Sequence, residues 1–318
     1  MIMVTAPQLV EIELSPTQRR ELFGLAREVV VIEWFGRRIA ACFRHAAQAE
    51  SFRKRYQSFV SDGTPDMWSC AVQDGNEAGE PIFWTEPGAA YRYPAGLQGG
   101  VIAFLADAVT HRAFFDVNPA MLSFHAAAVR VGDAAVAISA VSTGGKSTTA
   151  IACVRRGMAL YTDERCVLIG GRVHPFPRAL NIRQGGLELL CAHDLPDDSG
   201  IGNRLRARGD GDWEAASFAD VLGDMPLPKP AKLEVVFFID GHDSVARVVP
   251  LSLEAAIVRL LTAALCGPKP GLDRVAAATA LCRQARMYAL TTGTPDDTAL
   301  LIEATTTKRA RPLEALAV

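Results

Sequence analysis

Residues 134–164 read AAVAISAVSTGGKSTTAIACVRRGMALYTDE, and the reading of this stretch decides the fold. Residues 134–139 form an apolar run of the kind that makes a buried strand. Ala140, Val141, Ser142, Thr143, Gly144 and Gly145 follow as a loop that ends in Lys146-Ser147-Thr148. Residues 148–156 carry a helical pattern, stopped by Gly157, where a left-handed residue costs little. A second apolar run, 158–161, leads into the acid pair Asp163-Glu164. Strand, glycine-rich loop, helix, strand and acids are the layout of a phosphate-binding loop with its metal-binding carboxylates.

Each part has a chemical reason. A glycine-rich turn lets successive backbone N–H groups point inward and cradle phosphate oxygens. The helix that follows starts beneath that cradle, so its positive end faces the same anion. In such a loop Lys146 reaches the β- and γ-phosphates, and the Ser147 hydroxyl coordinates Mg²⁺. An acid at the end of the neighbouring strand holds the metal or orients the nucleophile. The usual pattern is G-x-x-x-x-G-K-[ST], and Ala140 stands where the first glycine belongs. Alanine serves there only if the position does not demand a positive φ.

The rest of the chain is compatible with this reading. It is 318 residues long, enough for one large domain or two smaller ones. Its hydrophobic fraction of 49% and charged fraction of 21% suit a globular protein with an ample core. A net charge of −2 argues against a general nucleic-acid binder. The most apolar window, 101–109, is too short to span a membrane and contains Asp107. The N-terminus lacks the basic start of a signal peptide. Seven scattered cysteines with no C-x-x-C read as apolar filler in a reducing cytoplasm.

Upstream of the decisive stretch, Ser15-Pro16 looks like a helix start. Residues 29–34 and 38–43 look like a hairpin across Phe35-Gly36-Arg37, and 46–60 like an amphipathic helix. The basic run Arg53-Lys54-Arg55 reads first as a solvated helix face, with an acidic-peptide surface as the sharper alternative. Short strands at 67–72, 81–85 and 90–93 and a long helix at 97–115 complete a small α/β unit over residues 1–120. From residue 121 to 305 a second domain is expected, with 306–318 as a tail. There, 123–129 reads as one apolar strand with His125 near its start. A lone strand histidine is more often a packed core residue than a ligand. Residues 166–169 and 172–176 suggest a hairpin, and the prolines of 175–186 an extended edge segment. Arg178 and Arg183 in that segment are the natural cations for a phosphate, though each alone is more often a surface arginine. The polar stretch 194–214 reads as a loop that could be a lid. Strands at 233–239 and 287–291 and helices at 252–265, 272–286 and 295–304 follow.

The spacing of His125, the loop 140–147, Arg156-Gly157 and Asp163-Glu164 resembles the kinase domain of HPr kinase/phosphorylase and its relatives. In that family a histidine opens a strand, a second strand runs into the phosphate loop, a helix ends at Arg-Gly, and the next strand ends in two acids. The resemblance covers roughly residues 125–186. It departs at Ala140 and Thr143, which stand for loop glycines, and at Glu164, which stands for aspartate. The family's Glu-x-Arg-Gly-x-Gly signature, tied to phosphorolysis, survives only as residues 181–186 without the glutamate. Among the relatives, the layout is most similar to the HPr-kinase-like proteins of lasso-peptide biosynthesis, which phosphorylate a serine of the precursor peptide.

The resemblance implies an α/β fold, a P-loop kinase domain with a mixed β-sheet behind a small α/β N-terminal domain. It implies ATP and Mg²⁺ as cofactors and a serine-bearing peptide or protein as partner, with no nucleic acid and no membrane. A homo-oligomer in the cytoplasm is a further expectation. Ser142, Thr143, Gly144, Gly145, Lys146, Ser147 and Thr148 would bind the nucleotide, and Ser147 and Glu164 the metal. Asp163 would take the proton of the serine hydroxyl, with His125 beside it and Arg183 or Arg178 neutralising the transferring group. Two other readings stay open: a nucleotide-binding partner without transfer activity, and a kinase for a small-molecule hydroxyl.

Overall fold

The computed structural model describes residues 10–73, 82–85, 89–92, 121–141, 144–178, 180, 184–192, 221–222, 225–263 and 274–307. The chain divides into two compact units, Met1–Asn118 and Pro119–Val318. No helix among the described residues is long and apolar enough to cross a membrane.

The first unit contains β1 (Val10–Ile12), α1 (Pro16–Gly24), β2 (Glu28–Trp34), β3 (Arg37–Phe43), α2 (Ala46–Arg55), β4 (Met67–Gln73), β5 (Ile82–Thr85) and β6 (Ala89–Arg92). Their sheet has the order β1-β6-β5-β4-β3-β2. Helix α1 starts where the sequence places it. The Ser15 hydroxyl accepts from the Gln18 amide at 3.2 Å while the Gln18 side chain accepts from the Ser15 amide at 2.9 Å, a reciprocal cap. The hairpin turns on Phe35 and Gly36 alone, with φ of 52° and 71°. Two left-handed residues match the twist of the flanking strands. The helix expected over 46–60 ends at Arg55, and Gln57–Phe59 forms a single 3₁₀ turn. The turn lets Tyr56 pack its buried ring against Phe52 and Phe59. Helix α2 joins β3 to β4, which run parallel, as such a crossover requires. The helix expected over 97–115 lies outside the described residues.

The second unit contains β7 (Met121–His125), β8 (Ala127–Val131), β9 (Ala134–Ser139), α3 (Lys146–Arg155), β10 (Ala159–Thr162), β11 (Arg165–Ile169), β12 (Arg172–His174), α4 (Gln184–Ala192), β13 (Ala231–His242), β14 (Arg247–Pro250), α5 (Leu253–Thr262), α6 (Arg274–Gln284), β15 (Arg286–Thr292) and α7 (Pro295–Thr307). The mixed sheet has the order β10-β8-β9-β13-β12-β11-β7, with β15 beside the later part of β13 and β14 beside β15. Strands β9 and β15 both run parallel to β13. Strand β8 runs antiparallel to β9, and β10 antiparallel to β8, so β10 points the same way as β9. The C-terminal ends of β10, β9, β13 and β15 therefore meet along one edge of the sheet.

Both faces of this sheet are covered, which is why β9 reads as an unbroken apolar run: all its residues are buried. Val136, Ile138, Val235 and Phe237 pack with Ile151 and Val154 of α3 and Ile302 of α7. Ala135, Ala137, Val236 and Phe238 pack on the other side with Leu260 of α5 and Leu281 of α6.

Four expectations are corrected here. The strand expected over 123–129 is two strands broken at Ala126, and His125 ends the first of them. The break moves the chain from pairing with β11 to pairing with β9. The His125 backbone is satisfied on either side, its amide by the Ala263 carbonyl at 2.8 Å and its carbonyl by the Ser139 hydroxyl at 2.9 Å. Residues 184–186, read as extended, open helix α4 despite their two glycines. Strand β13, expected to end at residue 239, runs on through Asp240-Gly241 to His242, because β15 pairs with it that far. Helix α7 continues to Thr307, three residues past the expected end.

Candidate phosphate-binding site

The site is built where β9 ends. Its loop turns back on itself, with the Gly144 amide donating to the Val141 carbonyl at 2.9 Å. A Cβ on Gly144 would stand 3.0 Å from both the Ala140 Cβ and that carbonyl, so any other residue would have to push the loop apart by a few tenths of an ångström. Gly145 then takes φ +84° and caps α3 without any side-chain bond. Gly145 brings no N-cap side chain to compete for the first-turn amides of α3, and free amides at a helix start are what an anion binds. Ala140 is not among the residues of positive φ, so alanine meets no backbone penalty at the first-glycine position. Ser142, Thr143 and Arg183 lie outside the described residues.

Helix α3 begins at Lys146, two residues earlier than the sequence suggests, and this places Lys146 and Ser147 in its first turn. Lys146 is buried, only 8% exposed. Its ammonium donates to the Asp163 carbonyl at 2.5 Å and lies 4.0 Å from the Asp163 carboxylate and 3.7 Å from that of Glu164. The Ser147 hydroxyl donates to Asp163 Oδ2 at 3.0 Å. Thr148 follows in the same turn, half-buried.

The acids are set by the end of β10. The Thr162 hydroxyl accepts from the amides of Glu164 and Arg165, each at 3.3 Å, and holds the turn that separates the two carboxylates. Asp163 points under the start of α3 and is 2% exposed. Glu164 shares the Lys146 ammonium with it but also reaches His125, with Oε1 3.3 Å from His125 Nδ1. Burial alone would raise the Glu164 carboxyl. The hydrogen bond from His125 and the charges of Lys146, His125 and Arg165 outweigh it and hold the group down at about 2.

The structure therefore brings together His125, Gly144, Gly145, Lys146, Ser147, Thr148, Asp163 and Glu164 at one edge of the sheet. Arg178 is buried at 4% exposure, its amide bonded to the Phe176 carbonyl at 2.8 Å. Residue pairs differ from the sequence expectation in one respect: Ser147 adjoins Asp163, and Glu164 adjoins His125 and Lys146.

One residue escaped sequence reasoning. His242, at the end of β13, places its ring against the loop: a Cβ on Gly145 would stand 3.2 Å from His242 Cε1. Its Nδ1 is bonded to the Thr292 hydroxyl at the end of β15. The signal available was position alone, a polar residue closing the most apolar strand, since ligands gather outside the carboxyl ends of parallel strands.

No group of three or more His, Cys, Asp or Glu side chains among the described residues could by itself hold a metal ion. A magnesium site does not need one. Mg²⁺ commonly takes one or two carboxylates and completes its shell with waters and substrate phosphates. A serine hydroxyl and a carboxylate 3.0 Å apart beside a glycine-led helix start fit that chemistry.

No protein-family model matches the chain, and no curated protein does. Among solved structures it is similar to the Hpr(Ser) kinase/phosphatase from Coxiella burnetii. The two are 10% identical over 57% of this chain and 91% of that one, with a TM-score of 0.26. A superposition that loose carries no argument about activity.

Proposed function

We propose that the chain is an ATP-dependent phosphotransferase that moves the γ-phosphoryl group to a serine hydroxyl of a peptide or protein. One observation carries the reading. A buried lysine in the first turn of a helix that starts on a left-handed glycine converges with a serine on two carboxylates at the next strand end. The serine acceptor, and a lasso precursor as the particular peptide, rest on the resemblance of residues 125–186 to the HPr kinases.

In this reading the first-turn amides and Lys146 receive the phosphates. Ser147 and Asp163 would hold Mg²⁺, which would supply charge neutralisation for the transferring group. Glu164 faces the acceptor, because its side chain is 23% exposed while that of Asp163 is 2% exposed. This exchanges the roles the sequence suggested for the two acids. The serine oxygen forms a bond to phosphorus as the bond to the β-phosphate oxygen breaks, and the hydroxyl proton passes to Glu164. A carboxylate held at about 2 is a weak base, and a weak base suffices, because a loose transition state depends on positioning and electrostatics more than on early proton removal. His125, at 3.3 Å from Glu164, orients the carboxylate.

The test is incubation with γ-labelled ATP, Mg²⁺ and a panel of serine peptides and small hydroxyl compounds. Wild type is expected to label a peptide. Glu164→Gln is expected to bind ATP without transfer, and Asp163→Asn to lose the magnesium dependence of binding. Bound nucleotide with no labelled product of any kind would make the chain a binding module. Labelled small hydroxyl compounds alone would replace the peptide acceptor.

A further inference from the structure

We infer that the nucleoside end of the nucleotide lies across the ends of β13 and β15, with His242 accepting a hydrogen bond from a ribose hydroxyl. The inference rests on the ATP reading above. The terminal phosphate has to face Asp163 and Glu164, which follow β10, on one side of β9. The nucleoside then leaves over the other side, where β13 and β15 end. Strand β13 is built for this. Its Phe238 pairs with Ser139, the last residue of β9, and β13 continues to His242 alongside the loop.

His242 is exposed and, among the described residues, anchored at one nitrogen, Nδ1. The buried Thr292 hydroxyl lies 3.4 Å from the Gly241 carbonyl, within reach to donate to it, and in that arrangement its oxygen accepts from His242 Nδ1–H. That tautomer leaves Nε2 with a bare lone pair on the loop side, 4.0 Å from where a Gly145 Cβ would stand. A bare lone pair matches a hydroxyl donor and repels a phosphate oxygen, which singles out the sugar. The carboxylates around His242 are already engaged. Asp240 pairs with Arg259 and Asp243 with Arg247, both at 2.8 Å. In the first turn of α7, Asp296 pairs with Arg156 at 2.7 Å and Asp297 accepts from the Thr294 hydroxyl at 2.7 Å.

The experiment compares magnesium complexes of ATP, 2′,3′-dideoxy-ATP and inorganic tripolyphosphate by calorimetry on wild type, His242→Ala and Thr292→Val. Wild type is expected to bind all three. His242→Ala is expected to bind ATP about fivefold more weakly, the worth of one neutral hydrogen bond. It should bind tripolyphosphate and the dideoxy nucleotide as wild type does. Thr292→Val, which frees the ring, is expected to follow the same pattern. Equal weakening of ATP and tripolyphosphate would make His242 a support of the loop and overturn the inference while the ATP reading stands. Unchanged affinities would also overturn it. A wild type that binds none of the three would remove the ATP reading itself.

Discussion

Replacing Glu164 by glutamine tests the electrostatics of the site through stability. The substitution keeps shape and removes the charge that Lys146 and His125 meet at 3.7 and 3.3 Å. Holding this carboxyl at about 2 against an ordinary 4.5 corresponds to about 3 kcal/mol of stability at neutral pH. The sign follows from the direction of the shift. A carboxyl depressed in the folded state binds protons more weakly there than in the unfolded chain. Its contribution is complete above about 4.5 and drains away as the pH falls through about 2. The difference between wild type and Glu164→Gln should therefore be about 3 kcal/mol at pH 7, about 1.4 kcal/mol at pH 3 and near zero below pH 2. Urea unfolding at pH 7 and pH 3, each pH comparing the two proteins, reads it directly. A difference that is the same at both, or absent at pH 7, would refute the pairing of Glu164 with Lys146 and His125.

Gly145→Ala should destabilise by about 1–2 kcal/mol, because a Cβ at φ +84° is strained and meets His242 at 3.2 Å. Its urea midpoint and its affinity for tripolyphosphate should both fall. Lys146→Ala should abolish phosphoryl transfer in the labelling assay while circular dichroism shows a folded chain. Burial pushes the Cys153 thiol up to about 12 and raises Cys166 further, while Cys282 is only half-buried. Alkylation of the native protein followed by peptide mapping should modify Cys282 before Cys42, Cys153 and Cys166.

Much of the second unit was legible because its signals are local. Gly144-Gly145-Lys146-Ser147 between an apolar run and a helical pattern forces a loop over a helix start, and Asp163-Glu164 falls where the next strand must end. What could not be read depends on pairing across long distances. Ala126 breaks a continuous apolar run because one half finds β11 and the other β9, and no residue in the run announces it. Asp240-Gly241 has the composition of a turn, yet β15, fifty residues on, keeps it in the sheet and carries His242 to the loop. The different contacts of Asp163, which meets Ser147, and Glu164, which meets His125, were likewise invisible, since nothing in two adjacent acids says which neighbour each will find.

Titration of Mg·ATP into wild type and Lys146→Ala by calorimetry bears on the nucleotide site most directly. Saturable heat with wild type, lost when Mg²⁺ is withheld or Lys146 is removed, is the expected result. Absence of binding by wild type to any nucleoside triphosphate with Mg²⁺, or undiminished binding by Lys146→Ala, would contradict it.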